Sequence, residues 1–305
     1  MEQKFVKFID NITLTQDQSD DAKKKYTGVC KKLYTAYYTG EYNESKKYLF
    51  GSYKTRTSVR PLTADQDVDV LFKIPKDVYD KYDTYSSNGQ AALLQEIRSI
   101  LKEKYTTTEV IKAWGKVVLV QFADNHHNVE LLPAFELEDG TFKIPNSENG
   151  GCWEIFDPRS EVEKFEDSNT KTNGLTRILA KILKAWAHNT TSMSYKSCER
   201  MDDIILFLTE YYPFGKGNTS LAKVTFDFFD YKYHRCSDFG LKSYLLTAYT
   251  RAQKAIEYAD NDKPKEASEE WIKIFGDEFP IVKENPKKEN RSEMISSNPI
   301  RPWLR

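Results

Sequence analysis

The chain has 305 residues with nearly balanced charge, 45 Lys and Arg against 46 Asp and Glu. A charged fraction of 30%, a mean hydropathy of −0.66 and no apolar run near ~20 residues exclude a membrane-spanning helix, so we expect a water-facing protein. The balanced charge argues against stable binding of a nucleic-acid duplex, and four widely spaced cysteines without a C-x-x-C pair argue against a zinc knuckle or a disulfide framework.

The first half of the chain alternates between helix and strand patterns. Apolar residues recur at helical spacing over residues 19–38, where Gly40 offers a stop, and again over residues 92–104. The N-terminus shows no apolar stretch followed by a small-residue cleavage site, so a cytoplasmic location is expected. The predicted strands are KKYLF at 46–50, DVDVLFKI at 67–74, VVLVQF at 117–122 and NVELLPAF at 128–135, the last two joined by a turn at 123–127.

The second half of the chain reads as a helix bundle. Residues 140–172 are rich in Gly, Pro, Asn and Ser, so we expect the crossing between two lobes to lie there. The patterns divide the chain into a catalytic lobe with a long N-terminal helix at 1–160, a helical lobe at 161–285 and a polar tail at 286–305. The predicted helices cover residues 174–189, 198–212, 238–258 and 266–276.

Two carboxylates share one face of a predicted strand. Residues two apart in a strand point to the same side, so Asp67 and Asp69 project together, while Val68, Val70 and Phe72 project into the opposite layer. Like charges this close repel one another, and the arrangement becomes favourable when a divalent cation lies between them. The pattern therefore predicts a magnesium site, with manganese as an alternative.

A third acid and a serine-tipped turn strengthen this interpretation. Glu130 is the one charged residue of an apolar strand and would be costly to bury without a partner. With Asp67 and Asp69 it would complete a two-metal site for phosphoryl transfer. An isolated D-x-D is more often a solvated strand face, but Gly51-Ser52 ends the preceding strand, where glycine allows close backbone approach and serine can donate to a phosphate.

Gly51-Ser52, Asp67-Val68-Asp69 and the later Glu130 together resemble the signature of the polymerase-beta nucleotidyltransferases. Within that superfamily the chain is similar to the bacterial CD-NTases, relatives of cGAS and of the oligoadenylate synthases that make cyclic oligonucleotides in anti-phage defence. The resemblance implies an α+β fold, with a mixed-sheet nucleotidyltransferase lobe, a C-terminal helical lobe and the active site in the cleft between them. It also implies that the chain makes a cyclic dinucleotide from NTPs.

The resemblance assigns further residues to the donor nucleotide. The helix at 174–189 is similar to one that carries a triphosphate-binding lysine, a role that falls to Lys184, with Lys181 as runner-up. The following SMSYKS offers Ser194 for the triphosphate and Tyr195 for stacking on the base. The alternative is that Lys184 is a solvated helix position and Tyr195 a core ring.

The resemblance also implies partners. These are NTP substrates and a downstream receptor or effector that binds the cyclic product, with the enzyme itself a monomer. The Cys and His spacing of the zinc insertion in animal cGAS is missing, so no activation by DNA is expected. His126 and His127 are interpreted as surface residues in a turn. Two other functions remain open, namely nucleotide transfer to RNA ends or to a small-molecule or protein acceptor, and non-catalytic nucleotide sensing.

Overall fold

The computed structural model describes residues 1–62, 66–108, 110–123, 126–212 and 220–282. The helices are α1 Glu2–Ile12, α2 Gln16–Tyr37, α3 Gly51–Lys54, α4 Lys76–Asp83, α5 Gly89–Lys104, α6 Pro158–Lys171, α7 Leu175–Asn189, α8 Ser197–Leu206, α9 Leu221–Arg235, α10 Phe239–Asp260 and α11 Pro264–Phe275. The strands are β1 Lys47–Leu49, β2 Asp67–Lys73, β3 Val110–Trp114, β4 Val117–Gln121, β5 Asn128–Glu136, β6 Phe142–Asn146 and β7 Cys152–Phe156.

A mixed sheet forms the centre of the first lobe. Its strands lie in the order β1-β2-β5-β4-β3, and β6 and β7 extend it from β5. Strands β2 and β5 pair in parallel, whereas β1 with β2 and β4 with β5 are antiparallel. The predicted α+β class with a mixed sheet is confirmed. Residues 124–125 of the predicted β4–β5 turn lie outside the described residues.

The sheet buries the apolar side of β2 under two helices. Val68, Val70 and Phe72 are fully buried in a core shared with α2 and α5, as the alternating pattern predicts. Helix α2 begins with a capping box, in which the Thr15 side chain accepts from the Gln18 backbone. Leu71 points to the other face and joins a smaller core. Packing on both faces of the sheet fixes the register of β2. This register leaves Asp67 and Asp69 on the face that does not contact α2 and α5.

Residues 140–172, where the crossing between the lobes is expected, consist mostly of regular structure rather than of linker. Strands β6 and β7 form an antiparallel pair within it, and β6 also pairs with β5. Helix α6 follows, with the Asp157 side chain accepting from the Arg159 and Ser160 backbone at its start. The Gly and Asn residues that look like a linker instead form the turn between these two strands.

A second core joins the two ends of the described chain. Phe5, Phe8 and Ile12 of α1 recur on one helix face and are fully buried against α7, α9 and α11. The Phe5 ring lies 4.9 Å from that of Trp271, edge to face. The helices predicted in the second half of the chain are present in α7, α8, α10 and α11. No helix in the described ranges combines the length and apolar content that a membrane crossing needs.

Candidate active site

Parallel pairing of β2 with β5 brings the three predicted acids together. Asp69 lies beside Glu130 in the register, and Asp67 lies beside Asn128. Adjacent residues in register point to the same face of a sheet. Asp67, Asp69 and Glu130 thus line one cavity of about 410 Å³ between the sheet and helices α6, α7 and α8.

The three carboxylates perturb one another. Burial, and then the charges of Glu130 and Asp67, raise the pKa of Asp69 to about 7. Burial and Asp67 also raise the pKa of Glu130, while a hydrogen bond with Asp69 acts in the opposite direction. Among the described residues, no three His, Cys, Asp or Glu side chains are already gathered closely enough to hold a metal ion. A divalent cation would relieve the repulsion among the three carboxylates. Because all of the donor atoms are oxygens, the set fits magnesium.

Glycine is required at position 51 by its distance from Asp69. Gly51 begins α3 with a φ of +63°. A Cβ atom at this position would lie 2.1 Å from the Asp69 Oδ2 atom. The backbone N–H of Phe50 donates to the Asp69 carbonyl at 3.3 Å, which joins the start of α3 to β2. The glycine thus allows the serine-bearing turn to pack directly on the acidic cluster.

Ser52 lies on the cavity wall next to the acids. Its Oγ atom is 3.1 Å from the Ser58 Oγ atom. Its carbonyl accepts from the backbone N–H groups of Thr57 and Ser58. These bonds fold residues 52–58 back on themselves and hold Ser52 in the wall of the cavity that the carboxylates line.

Lys184 brings a positive charge to the opposite wall of the cavity. It comes from α7 and lines the cavity that holds Asp69. Burial and the nearby Arg200 lower the pKa of Lys184 to about 8, and Asp69 acts in the opposite direction. Lys181, one turn earlier, does not line this cavity. Its Nζ atom donates to the Thr13 Oγ1 atom at 3.0 Å instead.

Ser194 and Tyr195 are not brought to the cavity. Tyr195 is 7% exposed and packs in the helical core against Trp186. Its hydroxyl donates to Asp203 at 2.5 Å, and burial raises its pKa. A ring buried in this way has no free face for a base, so the expected stacking role does not match its position. Ser194 is exposed, and the cavity wall after α7 is formed by Ser197, Cys198 and Met201 of α8.

Two further polar residues of the site were not singled out from the sequence. Gln66, which precedes the acid pair, lines the cavity and donates from Nε2 to the Val59 carbonyl at 2.7 Å. Arg177 of α7 donates from Nε to the Thr55 carbonyl at 2.9 Å, and its Nη2 atom donates to both carboxylate oxygens of Glu166. The arginine therefore joins the helical lobe to the loop after α3. Its location on a long helix gives no signal of this in the sequence.

The interpretation of both histidines as surface residues is wrong for His127. This side chain is 1% exposed, and burial lowers its pKa to about 4, so the ring is neutral near pH 7. The His126 side chain is half exposed, with Nδ1 3.6 Å from Asp21 Oδ2. All four cysteines are free thiols, as expected; Cys30 and Cys236 are buried and Cys152 and Cys198 are exposed.

Comparison with known proteins identifies the family of the chain. A model of the Second Messenger Oligonucleotide or Dinucleotide Synthetase domain matches residues 1–169. The chain is 26% identical to a probable cyclic nucleotide synthase of Bacillus cereus strain VD146, over 76% of this chain and 81% of the relative.

Solved structures share the fold. The CdnC protein of Escherichia coli MS115-1, solved in complex with a HORMA protein, has a TM-score of 0.66 at 15% identity, covering 92% of this chain and 98% of CdnC. The Vibrio cholerae cyclic AMP-GMP synthase DncV, solved with nonhydrolyzable GTP, has a TM-score of 0.65 at 12% identity, covering 90% of this chain and 95% of DncV.

Proposed function

The chain belongs to the Second Messenger Oligonucleotide or Dinucleotide Synthetase family, as a bacterial CD-NTase, and from this premise we propose that it joins two NTPs into a cyclic dinucleotide. The observation that carries the proposal is the register that places Asp69 beside Glu130 on parallel strands, next to the Gly51-Ser52 turn. DncV is a cyclic AMP-GMP synthase of the same fold, which supports a two-membered product. We place this chemistry in anti-phage signalling, with a separate receptor for the product.

Asp67, Asp69 and Glu130 would hold magnesium. Their oxygen donors, and the mutual repulsion that raises the pKa values of Asp69 and Glu130, fit a divalent cation. When bound, the metal would offset phosphate charge and raise the acidity of the attacking hydroxyl. Manganese has the same preference for oxygen and could serve in its place.

The remaining side chains position the donor nucleotide. Lys184 supplies a buried cation opposite the acids. Ser52 and Ser197 line the same cavity, and their hydroxyls can donate to phosphate oxygens. The acceptor hydroxyl loses its proton and attacks the α phosphorus in line. The new O–P bond forms as the bond to pyrophosphate breaks. A second round of the same reaction closes the ring.

Product analysis tests the proposal. The purified chain is incubated with all four NTPs and magnesium or manganese, treated with phosphatase, and analysed by mass spectrometry. We expect a phosphatase-resistant product with the mass of two nucleoside monophosphates less two waters. A labelled RNA or protein acceptor, in place of a free product, would contradict the cyclic assignment. NTP binding without any turnover would favour a sensor.

Magnesium should stabilise the protein more at pH 8 than at pH 5. The Asp69 pKa of about 7 in the folded protein lies above the ~3.9 of an unfolded chain. Its contribution to stability is therefore fully present below pH ~3.9 and is lost as the pH rises through 7, where the ionised carboxylate is left buried. A cation binds the ionised form, so the magnesium-induced rise in the thermal unfolding midpoint grows with pH.

Asp69→Asn is the control for this titration. The variant should lose most of the magnesium effect at pH 8 and show a flatter dependence of stability on pH. An equal magnesium shift at both pH values, unchanged in the variant, would place the ion elsewhere.

A further inference from the structure

A second cavity lies behind the wall of the candidate active site. Its volume is about 600 Å³, and it shares no lining residue with the first cavity. Segment 49–58 separates the two, since Ser52, Thr55 and Thr57 line the first cavity and Lys54, Arg56 and Ser58 line the second. The α1–α2 corner and Lys181 of α7 complete the second cavity.

The charged residues that line this second cavity are all cations. Lys54, Arg56 and Lys181 converge on it without an acidic residue in the wall. Within the part of the chain that the structure describes, none of the three forms an ion pair with a carboxylate. Lys54 lies 6.0 Å from the centre of the Tyr48 ring, and Lys181 donates to the Thr13 hydroxyl.

Asp20 lies outside the cavity wall, but its charge reaches the cavity edge, where burial and then Asp20 raise the pKa of Tyr53. One carboxylate does not balance the three cations Lys54, Arg56 and Lys181. Lys181 is half-buried, and burial together with Arg177 lowers its pKa. Partial burial of like charges is unfavourable unless a counter-charge is supplied. The cavity therefore has the electrostatics of an anion site.

We propose that this second cavity binds a small molecule that carries two or more phosphate groups. Three cations suit several negative charges, and the guanidinium of Arg56 can form bidentate bonds to a phosphate. The Ser58 hydroxyl adds a neutral donor, whereas the Thr13 and Ser19 hydroxyls already donate to the Ile9 and Thr15 carbonyls. The volume is that of a pocket for a nucleotide-sized molecule.

The bound molecule would also affect the active site through one hydrogen bond. Ser58 lines the second cavity and Ser52 lines the first, and their Oγ atoms are 3.1 Å apart. A phosphate that takes the Ser58 hydroxyl as a donor would change the bond to Ser52. The second cavity would thus be a regulatory anion site with its own lining residues, coupled to the catalytic cavity by this bond.

Calorimetric titration with inorganic pyrophosphate tests the proposal. EDTA is present, so that no cation links the probe to the acidic cluster. We expect saturable binding that weakens with added salt and falls roughly tenfold in Arg56→Asn and in Lys54→Gln. Asn tolerates the φ of +56° at position 56, and Lys54 is exposed, so both variants should fold.

Two matched variants locate the binding. Lys184→Gln removes a cation of the catalytic cavity, and Lys102→Gln makes the same charge change in a cationic groove between α5 and β3. Both should bind pyrophosphate within about twofold of the parent chain. No saturable binding at millimolar pyrophosphate, or loss of binding in Lys184→Gln with none in Arg56→Asn, would overturn the proposal.

Discussion

Asp69→Asn should lose cyclic dinucleotide synthesis by a factor on the order of a thousand or more. Asp69 lies between the other two acids, beside Glu130 in the register and two residues from Asp67. The amide has the same shape but no charge, so it removes a ligand without removing packing. Initial rates of phosphatase-resistant product formation measure the loss. The variant should be at least as stable as the parent chain near pH 8, because it removes a buried charge.

The control for this prediction is Asp260→Asn. Asp260 is exposed at the end of α10, far along the chain from the acidic cluster, and the substitution changes the net charge equally. Its synthesis rate should match that of the parent chain. If Asp69→Asn retained activity while remaining folded, Asp69 would not be part of the reaction centre.

Gly51→Ala should reduce synthesis on the order of a hundredfold. The added Cβ atom would lie 2.1 Å from Asp69 Oδ2, so either the carboxylate or the start of α3 must move. A shift of about 1 Å at a reaction centre is enough for a loss of this size. The φ of +63° adds about 1 kcal/mol of backbone strain to the cost. Activity and the free energy of unfolding in urea are measured together.

Gly40→Ala separates strain from displacement. Gly40 has a φ of +85°, and a Cβ atom there would meet nothing within 4 Å. It should show a comparable loss of stability and no loss of synthesis. Equal activity losses in the two variants would show that general strain, rather than displacement of Asp69, is responsible.

The acidic cluster could be predicted from the sequence because it depends on a local rule. A period of two places Asp67 and Asp69 on one face of β2, and an apolar strand makes the lone charge of Glu130 conspicuous. The parallel pairing of β2 with β5 then brings the three carboxylates to one place. The α+β class, in contrast, is implied by the family resemblance, and the mixed sheet confirms it.

The side chains proposed to bind phosphate were harder to predict, because their positions depend on how α7 and α8 pack. Ser194 and Ser197 are equivalent in sequence terms, yet only Ser197 lines the cavity, since Tyr195 between them is held in the core by Asp203. Lys181 and Lys184 both fit the helical periodicity of α7. The packing of the helix then places Lys184 in the active-site cavity and Lys181 in the second cavity. Strands β6 and β7 were missed because Asn, Gly and Pro obscured their alternation.

The packing of α1 against α11 has a consequence for how the protein is made. Phe5 and Phe8 leave the ribosome well before Trp271 and Phe275, whose rings cover them. At about 5–20 residues per second, the apolar face of α1 waits roughly ten to fifty seconds for its partner. The sheet, by contrast, can assemble β2 with β5 as soon as residue 136 has emerged. The acidic cluster can thus form before the helices that complete its cavity have been synthesised.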